Sequence, residues 1–188
     1  MENTVIHIKN VVCGRCITTV QRILSDLRIP CREVSLGEAV LERPLTDLEL
    51  HDLQKEFENV GFELLQKKPE RIINSIKSII IEQVYEEGSK NDNLSKILSE
   101  RLHYDYSYLT NLFSKSEKQS IQSFQNSIRI ERIKELLEYD ELSISEIADI
   151  LGFGSAAYLS TFFKKETKTS PSGYRILHLK RNKGLDFF

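Results

Sequence analysis

Long apolar runs are missing from this 188-residue chain. Stretches such as 79–81 are short and closely flanked by polar or charged residues, whereas a bilayer-spanning helix needs about 20 apolar residues. No basic segment followed by an apolar one opens the sequence, so no secretory leader is expected. Cysteine is scarce and odd in number, with 3 residues, which argues against a disulfide framework and for reduced thiols in a cytoplasmic protein. A surplus of positive charge is absent too. The formal net charge is −2, so the chain as a whole offers no general attraction for a polyanion. Signatures of phosphate-cradling loops, dinucleotide sites, zinc peptidases and nucleophile elbows do not occur, and an enzyme is not expected. The 4 histidines are scattered with no ligand spacing between them.

What is present is ordinary for a soluble globular protein, with 40% hydrophobic and 29% charged residues. The length suits one domain or two small ones. The first part alternates short strands and helices. Residues 5–9 are β-branched, with Ile6 and Ile8 on one side and His7 on the other. Ile17, Val20, Ile23, Leu24 and Leu27 have helical spacing, which predicts an amphipathic helix over 16–27 that Pro30 helps to end. Strands 32–36 and 39–42 flank a turn containing Gly37, and Pro44 breaks the second of them. A helix follows, with Thr46 or Asp47 as its cap, Leu48, Leu50, Leu53, Phe57 and Val60 as its stripe and Gly61 just beyond its end. Residues 62–66 make a last strand. The order β-α-β-β-α-β over 1–68 predicts an α+β, ferredoxin-like domain.

From residue 69 the pattern becomes helical. Ile72, Ile73, Ile76, Ile79, Ile80 and Val84 mark a first or linker helix over 71–87, followed by a polar loop over 86–93. An internal repeat at about fifty residues comes next. The stretch YLTNLF at 108–113 matches YLSTFF at 158–163, His103-Tyr104 matches Gly152-Phe153, Ser120 matches Ser170, and Phe124 matches Tyr174. Each copy reads as two short helices about a tight turn plus an aromatic residue that closes the core. The copies occupy 94–124 and 143–176, with a connecting helix over 128–139 carrying Ile128, Ile130, Ile133, Leu136 and Leu137.

The second copy, SISEIADILGFGSAAYLSTFFKKETKTSPSGYR, resembles the signature of AraC-type transcriptional regulators, and RIERIKELL resembles that family's linker helix. The resemblance runs from about residue 73 to 179. It implies that 69–188 is an all-α double helix-turn-helix domain that binds double-stranded DNA, in a cytoplasmic bacterial regulator. Helices 106–115 and 155–167 would be the readers. Tyr106, Ser107, Thr110 and Asn111 are the mapped positions of the first. Ser155, Ala156, Ala157 and Thr161 are those of the second. Asn111 can pair with an adenine edge, Ser and Thr with either base type, and Ala with a thymine methyl. Lys115, Lys164 and Lys165 are placed for phosphates. Tyr108, Leu109, Leu112, Phe113, Leu159, Phe162 and Phe163 are expected in the core. Two departures from the family pattern stand out. No Arg occupies a mapped reading position, and Lys118 and Lys168 stand where the family often ends its second helices with Gly. The charge balance of 69–188 is 17 Lys+Arg against 17 Asp+Glu. Its cations must therefore be gathered on one face if phosphates are to be neutralised. Lys164, Lys165, Lys168, Arg175, Lys180, Arg181 and Lys183 do cluster late in the chain.

Cys13 and Cys16 lie three apart between a strand and a helix. Sulfurs so placed converge at a helix start, where amide groups and Arg15 favour thiolate. Such pairs suit soft ions such as Cu(I), or Zn(II). This half resembles heavy-metal-associated domains, whose Met-x-Cys-x-x-Cys loop stands here as VVCGRC with Val11 in place of Met. That resemblance implies a metal site at Cys13 and Cys16. Oxidation of the pair to a disulfide is the rival reading, and two small apolar residues the plain one. A thioredoxin-like dithiol ranks lower, because the half is short and a hairpin follows its first helix directly. Cys31 is expected as a separate, buried structural thiol. The whole then reads as a DNA-binding regulator responsive to metal or redox state through its two thiols, with the apolar linker helix as a coupling element or a contact with a second copy. A metal-handling or interaction module with little DNA binding is the alternative.

Overall fold

The computed structural model describes residues 4–65, 67–86 and 93–183, with side chains up to residue 179. The first part runs β1 (Thr4–Lys9), α1 (Gly14–Asp26), β2 (Cys31–Ser35), β3 (Glu38–Leu41), α2 (Asp47–Asn59) and β4 (Glu63–Leu64). The strands lie in the order β2-β3-β1-β4, and each neighbouring pair is antiparallel. His7 stands opposite Glu38, and Ile8 opposite Leu64. The alternation seen in the sequence therefore sorts the faces. Ile8 joins Val20, Leu24, Leu41, Leu53 and Phe57 in a fully enclosed core, while His7 turns to the other side.

Helix ends are set by local chemistry. Thr46 and Glu49 form a reciprocal capping box at α2. Gly61 closes that helix with a left-handed φ of 81°, its N–H donating to Glu58 O and that of Phe62 to Phe57 O. At α1 the same motif is built on Arg28, at φ 55°, with Ile29 N–H donating to Leu24 O. Pro30 lies beyond a helix that has already stopped. The helix also starts two residues before its expected position, which puts Cys16 in its first turn.

The helical part comprises α3 (Lys68–Tyr85), α4 (Leu94–Leu102), α5 (Tyr106–Glu117), α6 (Ile121–Tyr139), α7 (Ile144–Ile150), α8 (Ala156–Thr167) and α9 (Pro171–Lys183). Two compact units emerge, and they are not consecutive in sequence. One holds Met1–Ile79 with Leu98–Leu112, the other Ile80–Ile97 with Phe113–Phe188. In the first, Asn74 of α3 is buried against the sheet. Its Nδ2 donates to Ile8 O at 3.2 Å and Gly37 O at 3.3 Å. The neighbouring Ser75 donates to Glu38 Oε1 at 3.1 Å. In the second, Ile133, Leu137, Ile147, Leu159 and Phe163 are sealed from solvent in one cluster. The guanidinium of Arg129 lies 4.0 Å from the centre of the Phe153 ring, an arrangement favoured by the ring's negative face.

Several expectations need correction. Leu48 is 70% exposed and Val60 42%; both lie at the extremities of α2, where the apolar stripe runs past the core. Tyr108 is also exposed rather than buried. The connecting helix begins at Ile121, seven residues before the expected 128, because Ser120 caps it by accepting the Ser123 N–H. Cys31 is half-buried in β2, and its thiol faces Val40 O; burial pushes its pKa up. Gln66 and Glu87, expected element ends, and 87–92 of the polar loop lie outside the described residues, as do the side chains of Lys180, Arg181 and Lys183.

Candidate functional site

The repeat extends to burial. Positions 107–120 and 157–170 show the same sequence of exposed, half-buried and buried residues. Leu109 and Phe113 in α5, like Leu159 and Phe163 in α8, are fully enclosed. Ring contacts recur as well: Phe113 meets Phe124 at 5.7 Å and Phe163 meets Tyr174 at 5.6 Å. His103, at φ 56°, occupies the turn position that Gly152 holds at φ 65°. Each copy thus presents one face of its second helix outward on an equivalent frame.

On α5 that face carries Ser107, Asn111 and Lys115, all exposed. Tyr106 and Thr110 are half-buried, and the Thr110 hydroxyl donates to Ser107 O at 3.0 Å. On α8, Ala157, Thr161, Lys164 and Lys165 are exposed. Ala156 is half-buried in the first turn, so it presents less surface than expected. Ser155 is the N-cap, its Oγ accepting the Tyr158 N–H at 3.1 Å. Lys164 and Lys165 sit in the last turn, where cations complement the helix dipole. Tyr108, 44% exposed and 5.2 Å from Tyr104, and Tyr158, 60% exposed and 5.7 Å from Phe153, border the same faces. Sequence spacing put Tyr108 in the core and gave Tyr158 no place. The fifty-residue repeat pairs the two, as it pairs Thr110 with Ser160 and Ser114 with Lys164, and their shared exposure shows that the repeated Tyr belongs to the surface and not to the core.

The thiols form a second candidate site. Cys13 is the exposed N-cap of α1 and Cys16 lies half-buried one turn in. Their sulfurs are 3.3 Å apart in the unbridged, reduced form. The Cys16 amide and then the Cys16 thiol hold the Cys13 pKa below the ordinary thiol value, with Arg15 adding a smaller electrostatic contribution. Val11, just before the thiols, is buried at 2% exposure and anchors the loop to the core. Among the described residues no set of three or more His, Cys, Asp or Glu gathers as metal ligands.

A family model described as a helix-turn-helix domain matches residues 98–176. The Msm operon regulatory protein of Streptococcus mutans is 32% identical over 141 residues, covering 75% of this chain and 49% of that protein. The chain thus spans about half the length of that curated relative. The C-terminal domain of AraT, a response regulator from Geobacillus stearothermophilus, is 30% identical. It covers 59% of this chain and 88% of its own, with a TM-score of 0.51. At 19% identity and a TM-score of 0.51, the DNA-binding domain of AdpA shares the fold over 58% of this chain and 94% of its own; that domain was solved in complex with a target DNA.

Proposed function

Because the chain belongs to the AraC-type helix-turn-helix transcriptional regulators, we propose that it binds duplex DNA through α5 and α8, with Cys13 and Cys16 as the input that adjusts binding. One observation carries the DNA reading: two helices of matching burial each expose a polar face, Ser107, Asn111 and Lys115 on one and Ala157, Thr161, Lys164 and Lys165 on the other. Asn111 is the residue equipped for bidentate pairing with adenine. Ala157 and Thr161 suit a thymine methyl and a base-edge hydrogen bond, and the lysines suit phosphates. Residues 1–68 are the sensor domain in this reading, of ferredoxin-like class by element order, and 69–188 the DNA-binding domain.

For the input, the donor chemistry discriminates between ions. Two thiols fit a soft ion content with two sulfur ligands, such as Cu(I), and the Cys13–Cys16 pair is where it would be held. Zn(II) ordinarily takes four protein ligands at structural sites, and the described residues gather only two. The 3.3 Å sulfur separation also favours a second reading, in which the same pair is oxidised to a disulfide.

A salt titration tests the DNA reading. Affinity for duplex selected from a random pool should fall steeply with salt, in proportion to the phosphates contacted; a weak, flat response rejects it. Anaerobic titration with Cu(I) tests the input. The reduced wild type should take up one ion that Cys13→Ser/Cys16→Ser does not, and equal uptake by both removes the metal site.

A further inference from the structure

We infer that Gly37, Asn74 and Lys68 position the first reading helix, α5, and not the second, so that the thiol-bearing domain governs one half of the DNA contact. The inference rests on the DNA-binding reading above. Its starting point is the grouping of the chain. The sheet domain, the front of α3 and residues Leu98–Leu112 belong to one compact unit, whereas α8 belongs wholly to the other. The front of the first reading helix, with Ser107 and Asn111, therefore shares its unit with the thiols, while its last turns from Phe113, with Lys115, belong to the other.

Within that unit, named contacts lead from β1 to α5. Strand β1 ends at Lys9, four residues before Cys13. Its Ile8 carbonyl accepts from Asn74, which also donates to Gly37 O. Asn74 is only 9% exposed, so losing either partner would leave a buried polar group unsatisfied. Gly37 is required twice over. Its φ is 78°, and a Cβ there would lie 2.5 Å from Asn74 Nδ2 and 2.6 Å from Ser78 Oγ, so both side-chain ends would have to shift and Asn74 would be displaced from its hydrogen bonds. Beside this joint, Glu38 accepts from Ser75 and faces His7 at 3.3 Å. His7, then Ser75 and the Arg101 charge on α4, hold its carboxyl below the ordinary value despite burial. At the start of α3, the Lys68 ammonium lies 5.6 Å from the centre of the Tyr104 ring. Tyr104 packs at 5.2 Å on Tyr108, next to the reading residue Ser107 on α5. A single helix thus touches the strand leading to the thiols and the aromatic pair at the reading face. Phe153 and Tyr158 form the matching pair of the second copy, and there the cation on Phe153 comes from Arg129 of the connecting helix, in that copy's own unit.

The test is a hydroxyl-radical footprint of the full chain on duplex selected from a random pool, with half-sites assigned by Asn111→Ala and Thr161→Ala. Lys68→Ala and Asn74→Ala should weaken protection at the α5 half-site several-fold, and Gly37→Ala by about tenfold, with the α8 half-site unchanged. Circular dichroism checks that each variant is folded. Val20→Ala loosens the same small domain through its α1 core and should leave the ratio of the two half-sites as in wild type. Equal loss at both half-sites, loss at neither, or a ratio shifted as much by Val20→Ala overturns the inference while leaving DNA binding intact. A wild-type chain that protects no selected duplex overturns both.

Discussion

The two helix-turn-helix copies share a frame and differ in what they display. Buried positions repeat closely: Leu109 with Leu159, Phe113 with Phe163. Exposed positions diverge, from Asn111 to Thr161, Ser107 to Ala157 and Ser114 to Lys164. Packing tolerates few side chains at an enclosed site, whereas a solvated site is free to specialise. The first copy carries the amide side chain of Asn111 with one last-turn cation, Lys115, and the second an adjacent pair of cations, Lys164 and Lys165. The largest test of the shared frame is truncation of the two enclosed rings. Phe113→Ala and Phe163→Ala should each destabilise the protein by about 3–5 kcal/mol, measured by urea unfolding. A loss below about 1 kcal/mol for either one would show that its copy is not packed as burial indicates.

The display is broken more gently. Asn111→Ala should weaken binding by about 1–3 kcal/mol and relax preference at a single base pair. Thr161→Ala should do less, because that hydroxyl already donates to Ala157 O at 3.0 Å. Base-by-base selection with each variant reads the difference, and equal effects would erase the division of labour between copies. For phosphates the order reverses. Lys164→Ala/Lys165→Ala should reduce the slope of log affinity against log salt by about 2, and Lys115→Ala by about 1. A slope unmoved by the double variant would take α8 off the backbone.

Much of this was legible in the sequence, for reasons that also explain the misses. Spacing revealed the order of elements and the repeat, because Leu and Phe recur where helices must bury them. Thr46, Gly61 and the left-handed His103 were likewise visible as punctuation. Periodicity gives the phase of a helix and not how far its cover extends, so Leu48, Val60 and Tyr108 were placed inside. The start of α6 was hidden by Gln122, Ser123, Gln125 and Asn126, whose polar run looks like a loop although Ser120 caps a helix there. The Asn74 contacts lie beyond any local pattern, since their partners are 66 and 37 residues away. Reading roles at Ser107, Asn111 and Thr161 came from family likeness, with exposure as their structural support.

The smallest effect concerns the helix ends, where the copies agree in an unexpected way. Lys118 and Lys168 both sit in the left-handed region, at φ 58° and 65°, after α5 and α8. A side chain in that region costs about 1–2 kcal/mol relative to the ordinary helical one, and glycine avoids it at an entropic cost of about 0.5–1 kcal/mol. Each lysine recovers part of the strain by donating from Nζ to a carbonyl three residues back, Lys115 O and Lys165 O, both at 3.0 Å. Those bonds are exposed and contribute little. Lys118→Gly and Lys168→Gly should therefore each stabilise the protein by about 0.5–1 kcal/mol, a rise of about 1–4 °C in Tm. Similar rises would extend the equivalence of the copies to their last turns. A gain at Lys168 with a loss at Lys118 would mean that the first copy needs its lysine for something beyond helix geometry, and the contrast between the two faces would then reach past the reading residues to the helix ends.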